Sequence, residues 1–267
     1  MKSLFITFLA SVIILGCTKE NDIDTTPPPP PQGIKTISLD NAVEIQWLPS
    51  QAEDVDGYKV WKSDQYSGRY QLIASTAKTN LVDYGAVNGT TYYYAVSAYD
   101  FHSNESALSK DVVYDTPRPE GLGVTLMDTN TAKNISGYGF AQYSVLSCYD
   151  IHTDIFFVNV HSRLSLQVWS DTDIQDMGYT SSLDEISAAP TEGWAPSKSV
   201  EPIEGHTYVI WTVDNHFAKV RVQNVTPNRL VFDWAYQTAK GNVELKGTHK
   251  SRDGFRKMDR IYKSLIQ

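Results

Sequence analysis

Apolar residues in this chain alternate with polar ones over short runs, and they rarely recur at helical spacing. Val43, Ile45 and Trp47 are separated by Glu44 and Gln46, the period of two that lays one face of a strand on a core. Tyr58 and Val60 flank Lys59 in the same way, and Tyr92, Tyr94, Val96 and Ala98 point to one side after the Asn88-Gly89 turn. Short strands punctuated by turn residues predict an all-β chain of packed, mostly antiparallel sheets. At 267 residues the chain exceeds one typical domain and suits two.

The N-terminus reads differently. Lys2 supplies a positive start, Leu4 to Leu15 is apolar except for Thr7 and Ser11, and Gly16 precedes Cys17. Residues 1–16 are expected to be a secretory signal, because the run falls short of the ~20 apolar residues of a spanning helix. Ile14-Leu15-Gly16-Cys17 resembles the lipobox of bacterial lipoproteins, which implies that Cys17 is acylated and becomes the mature N-terminus. More than one acyl chain, such as a palmitate added to a diacylglyceryl group, gives stable membrane attachment. Cys148 is then the remaining thiol, so stability must come from packing and not from an internal disulfide. Residues 17–33 are polar and then run through Pro27 to Pro31, a stiff tether in polyproline II. Glu20, Asp22 and Asp24 look like the export signals of surface lipoproteins of Bacteroidota, or they keep the tether soluble. The expected address is the cell envelope at the outer membrane, on its periplasmic or its surface face. The formal charge of −8 lacks the basic footprint of a nucleic-acid partner.

Residues 34–117 resemble a fibronectin type III domain. Trp47 matches the core tryptophan of that family, Gly57-Tyr58-Lys59-Val60 its third strand, and Gly89-Thr90-Thr91-Tyr92 the turn before its penultimate strand. The resemblance implies a β-sandwich in which Tyr92 is the tyrosine-corner residue. It specifies a fold and leaves the activity open, since such modules serve as spacers, contact surfaces or enzyme appendages.

Pro117-Arg118-Pro119-Glu120-Gly121 punctuates the chain, and residues 118–267 form the second expected domain. Phe140 to Leu146, Ile155 to Val160, Leu164 to Trp169, Thr207 to Val213, Phe217 to Val222 and Leu230 to Tyr236 read as strands. Ser182 to Glu185 has capping-box spacing and predicts one helical turn. Asp214-Asn215 predicts a two-residue hairpin that pairs Val213 with His216 and Trp211 with Ala218. That register places Tyr208, Phe217, Lys219 and Arg221 on one outward face, and these four are the candidate ligand-binding residues. Asp171, Asp173 and Asp176 read as turn-forming acids in a loop, without the spacing of a calcium-binding EF-hand. Residues 249–267 carry Phe255, Met258, Ile261, Tyr262 and Leu265 at helical spacing and predict a terminal helix.

Neither a Gly-rich phosphate loop nor a Gly-x-Ser-x-Gly elbow is present, and no catalytic residue, metal ligand or cofactor is assigned. The function expected is a lipoprotein displaying a non-catalytic binding domain on a fibronectin type III spacer, with a glycan or an envelope protein as partner. One alternative is a part in glycan turnover, with Trp169, Trp194 and Trp211 stacking on sugars. Another is haem or metal capture, because residues 208–236 resemble the C-terminal region of haemophore-type (HmuY-like) lipoproteins. No haem-ligating pair aligns onto His152, His161, His206 or His216.

Overall fold

The computed structural model describes residues 24–111 and 113–245. The signal, Cys17 and the expected terminal helix lie outside the described residues. No helix among the described residues is long and apolar enough to cross a membrane.

Seven strands build the first sandwich. One sheet has the order β1 (Gln32–Leu39), β2 (Ala42–Leu48), β5 (Asn80–Asp83), and the other has β4 (Gln71–Thr76), β3 (Val55–Ser63), β6 (Tyr92–Asp100), β7 (Val113–Asp115). Every ladder is antiparallel, and this is the expected fibronectin type III sandwich. The alternation read from the sequence is the packing pattern. Val43, Ile45 and Trp47 face Tyr58, Val60, Tyr94 and Val96 across the core, and the Trp47 ring meets Tyr58 edge-on at 5.5 Å. Each such side chain contributes about 1.5–3 kcal/mol on burial. Tyr92 does not serve as the corner expected of it. Its ring is half-buried with Lys62 Nζ 4.8 Å from its centroid. The buried hydroxyl at this end belongs to Tyr94, which donates to Asp83 Oδ2 at 2.9 Å.

The second unit is also a sandwich. One sheet has the order β13 (Asp173–Tyr179), β15 (His206–Trp211), β16 (Phe217–Thr226), β17 (Arg229–Gln237), β8 (Glu120–Met127). The facing sheet is β10 (Ser144–Leu146), β9 (Gly137–Gly139), β11 (Ile155–Val160), β12 (Arg163–Val168), β14 (Ser199–Val200). Among the described residues, helix is confined to one turn, α1 (Thr129–Ala132), and to two short 3-10 turns, of which Leu183–Glu185 lies where the capping-box spacing put it. Tyr138, Phe140, Phe157, Phe232 and Trp234 fill the core between the sheets. Two expectations change here. Phe140 to Leu146 is not one strand: the chain turns at Phe140–Tyr143, with Tyr143 at φ 51°, and returns as β10. Asp173 and Asp176 are not in a loop, because β13 pairs Asp173 with Trp211 and Asp176 with Tyr208.

The hairpin between β15 and β16 is the larger correction. Trp211 pairs with Phe217 and Ile210 with Ala218, so residues 212–216 form the loop. Thr212 N–H donates to the His216 carbonyl oxygen at 2.9 Å, and Asn215 takes a left-handed φ of 67°. This register differs by one from a two-residue turn, and a slip of one residue exchanges the faces of a strand. Tyr208 and Ile210 therefore join Ala218, Val220 and Val222 in the core. Val209 takes the other side with Phe217, under a roof formed by Ile186, Ala189, Trp194 and Leu245.

The segment joining the sandwiches is buried from Asp115 to Pro119. Thr116 accepts from Gln237 Nε2 at its carbonyl oxygen (3.3 Å), and its hydroxyl donates to Glu244 Oε2 (3.1 Å). The Pro117 carbonyl oxygen accepts from Gly89 N–H at 2.9 Å. The two sandwiches are thus joined by side chains as well as by the chain itself.

Candidate functional site

The four residues picked from the sequence do not form a surface. Tyr208 and Lys219 are fully buried and Phe217 nearly so. The Tyr208 hydroxyl donates to the Glu201 carbonyl oxygen (2.7 Å) and accepts from Ile203 N–H (2.8 Å). Lys219 Nζ donates to the Ile186 carbonyl oxygen at 3.0 Å, and Arg221 binds the Thr180 carbonyl oxygen through Nε and Nη2 at 3.2 and 2.9 Å. The two cations tie the roof to the sheet, which satisfies buried polar groups that would otherwise be costly.

Exposed aromatic side chains gather elsewhere, at the end of the second sandwich where three loops meet. The loop from Ser147 to Asp154 is wound tightly by its own hydrogen bonds. Asp150 N–H donates to the Ser147 carbonyl oxygen (2.9 Å), and the Thr153 hydroxyl donates to the same oxygen (2.8 Å). This winding pushes Tyr149 and Ile151 outward, 72% and 89% exposed. A turn closed by Thr172 N–H on the Trp169 carbonyl oxygen (3.1 Å) sets the second wall. The Trp169 ring rests on Phe156 at 4.9 Å and keeps 41% of its surface in solvent.

The third wall is the β15–β16 loop. Trp211 stacks on Phe217 at 5.7 Å, lies 5.9 Å from Trp194, and donates from Nε1 to Asn215 Oδ1 at 2.9 Å. The indole is therefore held in place while 38% exposed, beside Val213 at 63%. Between these loops runs a shallow groove of about 340 Å³, lined by Tyr149, Asp150, Asp154, Trp169, Asp171 and Val213 among others. A second hollow, lined by Asp171, Asp173, Trp211 and Val213, adjoins the first at Asp171 and Val213. Of the three tryptophans named for sugar stacking, Trp169 and Trp211 line this surface, and Trp194 supports Trp211 from behind.

The charged residues of the lining are all acids, Asp150, Asp154, Asp171 and Asp173, set among Thr, Ser and Asn side chains. His152 hydrogen bonds hold the Asp150 carboxyl below its usual range. Burial pushes Asp154 up to about 6 while Phe140 N–H, donating to its Oδ2 at 2.8 Å, opposes this. Lys198 Nζ pairs with Asp173 Oδ1 at 2.6 Å and anchors to the Thr172 carbonyl oxygen at 3.0 Å. Among the described residues the histidines do not converge: His206 pairs with Asp176, His152 with Asp150, and His216 bonds the Gln237 carbonyl oxygen. Among the described residues, Asp24, Asp100 and His102 bring candidate ligand atoms within 4.8 Å of one another. Asp100 already accepts from His102 N–H, Asn104 N–H and Asn104 Nδ2.

Sequence reasoning missed Tyr149, Ile151 and Val213. The one available signal was three exposed loops rich in Asp, Ser and Thr that each carry a large apolar residue, an arrangement that acquires meaning only when topology brings the loops together.

No family model matches the chain. It is similar to an amylopullulanase of Thermoanaerobacterium thermosulfurigenes, 35% identical over 99 residues, which is 37% of this chain and 5% of that one. A similar stretch occurs in an amylopullulanase of Thermoanaerobacter thermohydrosulfuricus, 32% identical over 120 residues, covering 45% of this chain and 8% of the relative. The chain thus spans less than a tenth of the length of these curated relatives. Among solved structures, an Fn3-like protein from Clostridium thermocellum is 30% identical over 32% of this chain and 85% of that chain, with a TM-score of 0.27.

Proposed function

We propose that this protein is a lipid-anchored, glycan-binding protein of the cell envelope. In this reading Cys17 carries the lipid, residues 18–33 form the tether, the fibronectin type III sandwich is a spacer, and the second sandwich holds the ligand. The observation that carries it is the groove. Trp169 and Trp211 offer partly exposed rings on fixed supports, Tyr149 adds an exposed ring, and Asp150 and Asp171 line the same hollows as hydrogen-bond acceptors. Sugar rings present an apolar face edged by hydroxyl donors, and an aromatic plane flanked by carboxylates is complementary to both. Relatives named amylopullulanase share a stretch the length of one module with this chain, which supports a place among glycan-acting proteins.

The test is affinity electrophoresis of the purified protein through gels cast with different polysaccharides. Retardation by at least one polysaccharide, lost in Trp169→Ala and Trp211→Ala, is the expected result. Migration unchanged in every gel would reject the reading.

A second reading, glycan hydrolysis, is favoured by Asp154. Its raised carboxyl lies in the groove with the ionised Asp150, a pairing suited to an acid and a base. Release of reducing ends from a bound polysaccharide, abolished in Asp154→Asn, distinguishes it from binding alone.

A further inference from the structure

Resting on the glycan-binding reading, the charge of the groove narrows its ligand. Asp150, Asp154, Asp171 and Asp173 contribute to the lining of the two adjoining hollows, and no Lys, Arg or His side chain does. Lys198, the nearest cation described, is held by Asp173 and the Thr172 carbonyl oxygen. Two neutral hydroxyls are also committed: Thr153 donates to the Ser147 carbonyl oxygen, and Thr212 donates to Asp214 Oδ1 at 2.5 Å. Asn215 Oδ1 already accepts from Trp211 Nε1. The hydroxyls of Tyr149, Ser170 and Thr172 also line the hollows as neutral groups, so the charge of the lining is set by four carboxylates with no cation among the lining side chains.

We infer that the groove selects glycans bearing free amines, accepts uncharged ones more weakly, and excludes those carrying uronate or sulfate. An ammonium on a hexosamine ring supplies the positive charge that such a lining lacks. A charge-assisted hydrogen bond is about twice as strong as a neutral one. A uronate or sulfate meets like charge with no lining cation to offset its desolvation. Asp171, shared by both hollows, is the residue best placed to meet the ammonium while Trp169 and Trp211 stack on either side.

The experiment titrates the protein with three oligosaccharides of equal length: chitosan, its N-acetylated counterpart chitin, and hyaluronan. The expected order is chitosan over chitin by about tenfold, equivalent to ~1.4 kcal/mol, with hyaluronan unbound. The chitosan advantage shrinks in 0.5 M salt, where charges are screened beyond roughly 4 Å. Asp171→Asn is expected to shrink the chitosan-to-chitin affinity ratio toward one, because the amide keeps an acceptor oxygen and loses the charge that favours the ammonium. Equal affinity for chitosan and chitin, or tight binding of hyaluronan, overturns the selectivity and leaves glycan binding standing. No binding to these oligosaccharides or to any polysaccharide tested overturns both.

Discussion

Arg118 reaches from the start of the second sandwich to the first, donating from Nη1 to the Ser38 carbonyl oxygen at 3.2 Å. The guanidinium is fully buried at the junction, with Glu120 and Asp184 each 3.7 Å away. Ser38, in turn, hydrogen-bonds the buried Asp115 carboxylate. Removing one partner from a buried charge cluster costs about 3–5 kcal/mol, because the remaining charges stay desolvated and uncompensated.

Arg118→Ala is therefore expected to uncouple the sandwiches. Scanning calorimetry of the wild type should show one unfolding transition, and the variant should show two, with the earlier at least ~6 °C below the original. A single transition within a degree of the wild type would mean that the junction contributes nothing to cooperativity.

Burial also sets how stability depends on pH. It pushes Asp154 up to about 6, and it raises Asp115 against the hydrogen bonds of Ser38 and Thr36 and the charge of Arg118. The folded chain holds these protons more tightly than the unfolded chain, in which Asp titrates near ~3.9. Ionising them costs the folded state, fully above pH ~6 and not at all below ~4. Glu105 behaves oppositely: despite partial burial, hydrogen bonds from Lys59 and Ser97 hold it low, and its contribution is lost as pH falls through that depressed value. The melting temperature is expected to rise from pH 7 to pH 5 and fall again in stronger acid. Asp154→Asn should raise the value at pH 7 and reduce the gain on acidification. A melting temperature that declines steadily from pH 7 downward would contradict this.

Lys219 has a structural task beneath the roof. Lys219→Ala leaves the Ile186 carbonyl oxygen without this donor and opens a cavity, at an expected cost of about 2–4 kcal/mol. Lys219→Met also leaves that oxygen without this donor but keeps most of the volume, so its cost should be smaller than that of Ala by the cavity contribution, at about 1–3 kcal/mol. Urea titrations separate the two. Equal, negligible effects in both variants would show that the amine is not confined.

Much of the first sandwich was legible because strands such as β2 bury one face, so that Val43, Ile45 and Trp47 alternate with the partly exposed Glu44 and Gln46. The second sandwich was less so. Its sheet carrying β15 and β16 is covered on both faces, by the core on one and by the roof on the other, and period-two patterning fades when both faces are apolar. Lys219 and Arg221 looked like a solvated face because their roof comes from residues 180–195 and 242–245, remote in sequence. The choice between a two-residue and a five-residue loop at Asp214-Asn215 then reversed Tyr208 and Val209. The groove was legible only as three separate tryptophans, since their convergence depends on which loops share one end of the sandwich.

The proposed anchor has its own check. Replacing Cys17 with Ser should move the protein from the membrane fraction to the soluble fraction, because sulfur-linked acylation is lost. Retention of the variant with the membrane would remove the lipid from this account.

The groove itself is tested most directly by calorimetric titration of the purified protein with the polysaccharide that retards it most strongly in gels. Loss of a stacking aromatic costs about 1–1.5 kcal/mol. Trp211→Ala and Trp169→Ala are each expected to weaken binding about tenfold while melting within a few degrees of the wild type. Unchanged affinity in both variants would place the ligand elsewhere and contradict the account.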